Sequence, residues 1–139
     1  MNENLVRIIP RGHMKHSIET LGGIEVLKLH GEIDLKVSPD LRGLLTKKAQ
    51  TPQDYFIFDL QDVSYIDSSG LATFVEFFQL TREKNSNILM AGLKPRVRSI
   101  FELVRLEELF IFCDCVADAI EKVGGAAGSV LNSMDSAGD

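Results

Sequence analysis

Hydrophobic and polar positions follow two alternating periods along the chain. Short runs rich in β-branched and aromatic residues, typical of strands, are each followed by apolar residues at helical spacing. The strands are predicted at residues 24–33, 54–60, 87–93 and 109–114, and the helices at 38–49, 71–84, 95–105 and 116–123. This order predicts an α/β fold, a mixed and mainly parallel β-sheet packed with about four α-helices.

Two local signals refine these elements. Gly31 interrupts the first strand pattern, which predicts a bend or a β-bulge there. Ser38 precedes Pro39 at the start of the first helix pattern. That pair is typical of an N-cap followed by proline at the first helical position.

The two ends of the chain differ in character from the middle. Residues 1–14 contain P-R-G-H-M, which resembles the scar of a cleavable tag, so residues 1–23 do not enter the fold prediction. Residues 124–139 are small and polar, as expected of a disordered tail. One folded domain is therefore predicted over residues 15–123.

Composition narrows the class of protein. The 139 residues are 45% hydrophobic and 25% charged, which is typical of a soluble globular domain. The formal net charge of −5 argues against nucleic-acid binding. Apolar runs fall short of the roughly 18 residues of a membrane span. Cys113 and Cys115 lie too close in sequence for a disulfide framework, so a reducing cytoplasm is expected.

The stretch Y-I-D-S-S-G-L-A, residues 65–72, joins the second strand to the second helix. Asp67, Ser68 and Ser69 are residue types that cap helices, and Gly70 permits a tight turn. Capping alone is one explanation of the stretch. Presentation of a hydroxyl group to a partner is the other.

An enzymatic role for these serines is disfavoured. The stretch lacks the G-x-S-x-G pattern of a nucleophile elbow. Of the histidines that could act as a base, His13 and His16 lie in the tag-like region and His30 lies in a predicted strand. Phosphate-binding glycine motifs are absent from the sequence, and Cys113 and Cys115 lack the further ligands of a metal site. We therefore expect no catalytic residue, no metal site and no cofactor.

Modification of a hydroxyl group fits the position better. A phosphate on Ser69 would lie at the amino end of the second helix, where backbone N–H groups and the helix dipole favour negative charge. Asp67 would oppose that charge locally. A partner bound there would meet about two additional negative charges.

The second helix suggests where a partner would bind. At 100° per residue, a core stripe is predicted from Leu71, Phe74, Val75 and Phe78. The opposite side, onto which Ser69 also projects, carries Thr73, Glu76, Phe77 and Leu80. An exposed apolar side chain beside a presented serine predicts a docking surface. The alternative is that another element covers Phe77.

Four stretches together resemble the STAS domain of bacterial anti-sigma factor antagonists. They are V-L-K-L-H-G-E-I-D-L, F-D-L-Q-D-V-S-Y-I-D-S-S-G-L-A, I-L-M-A-G-L and F-I-F-C-D-C-V-A-D-A-I. The resemblance covers about residues 17–123. It implies a non-enzymatic binding switch with a single STAS domain.

The resemblance also implies partners and residue roles. In that family an anti-sigma factor serine kinase of the histidine-kinase-like ATPase fold binds the unphosphorylated protein, which releases a sigma factor for transcription. Carried over by motif, Ser69 is the phosphoacceptor, with Asp67, Ser68 and Gly70 in the recognition loop around it. Asp34, the acid of G-E-I-D, matches the family's acidic position near that serine. A PP2C-type phosphatase restores binding.

STAS domains also serve other ends. Some are stressosome scaffolds or sensors, and others are parts of anion transporters or lipid-transport complexes, where phosphorylation is not required. A nucleotide-binding or hydrolytic role is a further alternative of a different class. The sequence shows neither a membrane segment nor a long sensory domain, which favours a stand-alone cytoplasmic antagonist.

Overall fold

A computed structural model describes residues 14–51 and 53–124 of the chain. The strands are β1 (His16–Leu21), β2 (Ile24–Ile33), β3 (Tyr55–Ile66), β4 (Asn87–Ala91) and β5 (Ile111–Cys113). The helices are α1 (Ser38–Ala49), α2 (Ser68–Arg82), α3 (Pro95–Leu103), a 3-10 turn (Leu106–Glu108) and α4 (residues 116–124). The predicted α/β architecture is confirmed. Most of the leader and tail predicted at 1–14 and 124–139 lies outside the described residues.

The sheet is mixed, with strand order β1-β2-β3-β4-β5. The β1 and β2 strands pair antiparallel, and the three remaining pairs are parallel. Gly22 and Gly23 join β1 to β2 with φ of 58° and 80°, a two-residue turn that needs positive φ at both positions.

Omitting β1 from the sequence prediction was wrong. The segment was set aside with the tag-like residues 1–23, but it forms a strand whose six residues are all exposed. Met14, assigned to the leader, is 2% exposed and packs in the core. Its backbone N–H donates to the Asp40 carboxylate at 2.5 Å.

The predicted irregularity at Gly31 is confirmed. Its φ is 88°, and the register between β2 and β3 shifts on either side of it. β3 runs twelve residues, up to Ile66, and so continues beyond the predicted end at residue 60. Because the two strands are parallel and Ile33 pairs with Ile66, the loops that follow them lie side by side.

The start of α1 differs from the prediction that Ser38 is its N-cap. Ser38 is the first helical residue, and no side chain caps the helix from the adjoining position, Val37. Asp34 provides the capping instead. Its Oδ1 accepts the N–H groups of Lys36 at 3.0 Å and Val37 at 3.3 Å, and its carbonyl accepts that of Ser38 at 2.9 Å. Three turn residues therefore precede the regular helix.

The core lies on both faces of the sheet. On one face the main cluster joins α1, α2 and α3 to β2, β3 and β4, with Phe74 and Phe101 fully buried. On the other face α4 covers a smaller cluster through Ala119 and Val123. Among the described residues, none of the helices has the length and apolar character needed to span a bilayer.

Candidate functional site

The second helix starts where β2 and β3 end. The backbone N–H of Asp67 donates to the carbonyl of Ile33 at 3.1 Å, which ties the two strand ends together. Gly70 is buried where α2 comes closest to Ile33 and Ile66, at the ends of β2 and β3. A Cβ there would lie 2.7 Å from Ile33 Cγ2 and 2.8 Å from Ile66 Cγ1. Glycine is therefore required for packing at this position, and a role of Gly70 in partner recognition stays a prediction.

Asp67 caps α2 with one carboxylate oxygen. Its Oδ1 accepts the N–H of Ser69 at 2.9 Å, the N–H of Gly70 at 3.1 Å and the hydroxyl of Ser69 at 2.5 Å. Burial raises the pKa of Asp67, but hydrogen bonds from the Ser69 hydroxyl and from the N–H groups of Gly70, Ser69 and Leu35 outweigh it. The net pKa lies below its ordinary range, and the carboxylate stays ionised.

This arrangement changes the expected environment of a phosphate on Ser69. The sequence interpretation placed such a phosphate on free N–H groups at the start of α2. The N–H groups of Ser69 and Gly70 instead donate to Asp67. An anion already occupies that end of the helix, so a phosphate would have to compete with the carboxylate.

The Ser69 hydroxyl has a second oxygen neighbour. Ser38 Oγ lies 2.8 Å from Ser69 Oγ and 2.8 Å from the carbonyl oxygen of Asp34. Ser38 is 4% exposed, Ser69 is half-buried and Ser68 is exposed. Sequence reasoning missed Ser38 as a site residue. The predicted parallel sheet carried the signal, because it places the starts of consecutive helices next to each other.

Asp34 reaches Ser69 only through Ser38. Its carboxylate accepts the N–H groups of Lys36 and Val37 in its own loop. Leu35, the next residue, is 73% exposed, and its backbone N–H helps to lower the pKa of the Asp67 carboxylate. The two loops therefore form one hydrogen-bonded unit around Ser69.

The family comparison agrees with this architecture. A model of the STAS domain matches residues 15–119, most of the chain. The chain belongs to the STAS domain family. An anti-sigma-B factor antagonist of Bacillus subtilis strain 168 is 32% identical to it over 83 residues, which cover 60% of this chain and 75% of that protein.

Solved structures share the fold. The crystal structure of an anti-sigma factor antagonist from Mycobacterium paratuberculosis has a TM-score of 0.72 and 20% identity, over 84% of this chain and 98% of that one. The STAS domain of a SulP transporter from Vibrio cholerae has a TM-score of 0.63 and 15% identity, over 73% and 81%. The STAS fold by itself therefore does not separate antagonists from transporter domains.

The expectation that Phe77 and Thr73 lie on an exposed side of this STAS domain's second helix is wrong. Both are 1% exposed. The Phe77 ring packs edge-on against Phe56 at 4.9 Å and Phe58 at 5.4 Å between centroids. The hydroxyl of Thr73 donates to the carbonyl of Ser69 at 2.9 Å. The alternative left open from the sequence, that another element covers Phe77, is correct.

Thr73 and Phe77 are buried because α2 packs against α1 as well as against the sheet. Its buried stripe rotates accordingly and consists of Gly70, Leu71, Thr73, Phe74, Phe77 and Thr81. Glu76 lies at the edge of this stripe, half-exposed, and its carboxylate accepts a hydrogen bond from Arg42 Nε of α1 at 2.8 Å. Val75 and Phe78, predicted as core, are only partly buried.

The exposed surface beside Ser69 is therefore different from the predicted one. On α2 the exposed residues nearest to Ser69 in the chain are Ser68 and Ala72. Leu80 is 44% exposed but lies about three helical turns further along α2. The loop after β2 carries Leu35, 73% exposed, and the end of β3 carries Tyr65, 42% exposed. A docking role for these exposed apolar side chains stays a prediction.

A second polar cluster involves neighbouring positions of β2 and β3. Lys28 Nζ lies 3.9 Å from an oxygen of buried Asp59 and 3.4 Å from Asp62, and His30 Nδ1 also lies 3.4 Å from Asp62. Burial lowers the pKa of His30 and outweighs the opposing effect of Asp62. His30 lies in β2, as predicted.

A metal site or a disulfide bond would each need particular side chains held close together. Across residues 14–51 and 53–124, no group of three or more His, Cys, Asp or Glu side chains could hold a metal ion. Cys113 is buried, Cys115 is exposed, and both carry free thiols.

Proposed function

We propose that this STAS domain is an anti-sigma factor antagonist whose partner binding is switched by phosphorylation of Ser69. Its partner is an anti-sigma factor serine kinase of the histidine-kinase-like ATPase fold, and a PP2C-type phosphatase reverses the modification in the cytoplasm. The observation that carries the proposal is the Ser69 hydroxyl, half-buried at the start of α2 and 2.5 Å from the Asp67 carboxylate. The family relationship and the D-S-S-G motif support the same assignment.

The electrostatics of the helix start support a switch. The two N–H groups that would stabilise a phosphate donate to Asp67. Phosphorylation adds about two negative charges next to an ionised carboxylate. The phosphate must displace the Asp67 cap or remain at the surface, and either outcome changes the face that a partner meets. Ser68, Asp34 and Glu76 complete the proposed face, with Asp34 and Asp67 acting through the loop that they hold.

The first test identifies the modified residue. The protein is incubated with ATP and a candidate serine kinase of the histidine-kinase-like ATPase fold from the same organism, and the phosphate is located by mass spectrometry. We expect phosphate on Ser69 in the unsubstituted chain and in Ser68→Ala, and none in Ser69→Ala. Because Ser68 is the more exposed serine, phosphate on Ser68 instead would contradict the assignment.

The second test measures the switch itself. Ser69→Ala should bind the kinase with the affinity of the unphosphorylated protein. Ser69→Asp should bind at least about tenfold more weakly, roughly 1.4 kcal/mol, because it adds charge beside Asp67. Equal affinities in calorimetry would instead indicate a scaffold, transporter or lipid-transport module that binds without phosphorylation control.

A further inference from the structure

Three oxygen–oxygen contacts around Ser69 share two hydroxyl protons. Ser38 Oγ lies 2.8 Å from the Asp34 carbonyl oxygen and 2.8 Å from Ser69 Oγ, and Ser69 Oγ lies 2.5 Å from Asp67 Oδ1. Each serine hydroxyl has one proton to donate. The direction in which each proton points can be worked out from the acceptors.

The proton of Ser69 points to Asp67. An ionised carboxylate has no proton of its own and acts only as an acceptor. The 2.5 Å separation is in the range of charge-assisted O–H···O⁻ bonds. The hydrogen bonds that lower the pKa of Asp67 are consistent with the ionised form.

The proton of Ser38 then points to Ser69. The carbonyl oxygen of Asp34 already accepts the N–H groups of Ser38 at 2.9 Å and Val37 at 3.2 Å. Those two donors match the two lone pairs of a carbonyl oxygen. Either direction leaves one 2.8 Å oxygen–oxygen contact without a proton between the atoms. The Asp34 carbonyl keeps its two N–H donors when the Ser38 proton points to Ser69. Ser69 Oγ would lose its hydroxyl donor if that proton pointed to Asp34, so donation to Ser69 leaves both acceptors with a partner.

We propose that Ser38 is a positioning residue for phosphorylation of Ser69. The inference rests on the proposed function, since it concerns how the acceptor hydroxyl is prepared. The Ser69 hydroxyl accepts a hydrogen bond from Ser38 and donates one to Asp67. The Ser69 side chain is therefore held from two sides in one rotamer. One lone pair of Ser69 Oγ remains for attack on phosphorus.

The phosphoryl donor for Ser69 is a nucleoside triphosphate bound to the kinase. A bond forms between Ser69 Oγ and the γ-phosphorus. The bond from that phosphorus to the bridging oxygen breaks, and its electron pair leaves with the nucleoside diphosphate. The Ser69 proton passes to the Asp67 carboxylate, to which it is already hydrogen-bonded, and then to solvent.

Burial separates this role from docking. Ser38 is 4% exposed, so a partner on the surface does not depend on contact with its side chain. Loss of its hydroxyl should therefore affect the rate of transfer within the complex and leave the affinity for the kinase unchanged.

The experiment compares Ser38→Ala with the unsubstituted chain, using the serine kinase found to phosphorylate the protein in the first test. Single-turnover transfer to Ser69 at saturating kinase should slow by about threefold to tenfold, the range expected for one hydrogen bond. Ser99→Ala, at an exposed serine of α3, is the matched control and should transfer at the unsubstituted rate. Ser38→Thr restores the hydroxyl and should recover the rate.

A kinase-free measurement isolates the hydrogen bond. Hα–Hβ couplings of Ser69 should report one dominant rotamer in the unsubstituted chain and in Ser38→Thr, and an average of rotamers in Ser38→Ala. If the alanine variant does not fold, Ser38→Cys keeps the side-chain shape with a weaker donor, and the same fall in rate is expected.

The possible results distinguish failure of the role of Ser38 from failure of the proposed phosphorylation of Ser69. Transfer at the full rate in Ser38→Ala, with unchanged couplings, would overturn the role of Ser38 alone. No phosphate on Ser69 of the unsubstituted chain would overturn the proposed function and, with it, a role for Ser38 in phosphorylation. Equal weakening of kinase affinity and transfer rate in Ser38→Ala would show a docking effect and also overturn the positioning role.

Discussion

The two faces of α2 have opposite roles, although both carry apolar side chains. The buried face holds Thr73 and Phe77, each 1% exposed, against the sheet and α1. The exposed face presents Ser68 and Leu80 to solvent. Ser69 lies at the boundary between them, half-buried at the first turn.

The difference between the two faces shows that the position of Ser69 depends on where α2 starts. The buried face fixes the position and rotation of α2 against β3, through contacts such as Phe77 with Phe56 and Phe58. That placement brings the first turn of α2 next to the first turn of α1, where Ser69 meets Ser38. Substitutions on the exposed face can then be made without moving Ser69.

The largest effect on stability is expected from a substitution on the buried face of α2. Phe77→Ala removes a fully buried aromatic side chain and should lower the free energy of unfolding by about 3–5 kcal/mol. Leu80→Ala, on the exposed face of the same helix, should lower it by less than about 1 kcal/mol. Urea denaturation of both variants measures the comparison.

The Leu80 variant also controls for helix propensity, since both substitutions place alanine in α2. A small loss in Phe77→Ala would mean that the ring is not essential to the packing of α2 on the sheet. A large loss in Leu80→Ala would mean that the exposed face is covered by other parts of the molecule.

A smaller effect is expected at the boundary. Asp67→Ala removes the acceptor of two N–H groups and one hydroxyl, and should cost about 0.5–2 kcal/mol of unfolding free energy. Asp34→Ala removes the acceptor of two N–H groups in the turn before α1 and is the matched comparison. The loss of the Ser69 hydroxyl bond should make the Asp67 variant less stable by a further ~1 kcal/mol. Equal losses in thermal or urea unfolding would mean that this bond adds little to stability.

Sequence patterns predicted the elements that bury a clear face. The first half of β3, residues 55–60, and β4 are nearly continuous apolar runs, and the D-S-S-G stretch combines cap residues with a glycine that only close packing explains. β1 was missed because residues 1–23 were assigned to a tag-like segment, whereas its six exposed residues pair with β2.

The rotation of α2 could not be predicted from its own pattern. Phenylalanines occur on both sides of the helix, at Phe74, Phe77 and Phe78, so the apolar stripe is too broad to define one core direction. Packing of α1 beside α2 selects the direction, and that contact joins segments some thirty residues apart, as in the bond between Arg42 and Glu76. The same long-range packing brings Ser38 to Ser69.

The smallest effect is expected from the charge of Asp67 at the start of α2. It should be seen in the pH dependence of the free energy of unfolding. The pKa of Asp67 is lower in the folded protein than its ordinary value of about 3.9. Over the interval between these values, the unfolded chain binds more protons than the folded one. The ionised carboxylate therefore contributes stability that is fully present above the ordinary pKa and is lost as pH falls through the folded-state pKa.

Asp67→Asn isolates this contribution, because asparagine can still cap a helix but does not titrate in this range. The stability difference between the unsubstituted chain and Asp67→Asn should be constant near neutral pH and shrink on acidification below about pH 4, as measured by urea denaturation across pH. A difference that grows on acidification would mean that burial dominates and that the folded-state pKa is raised. In that case the helix start would hold a neutral acid, and a phosphate on Ser69 would meet a hydrogen-bond donor there instead of a competing anion.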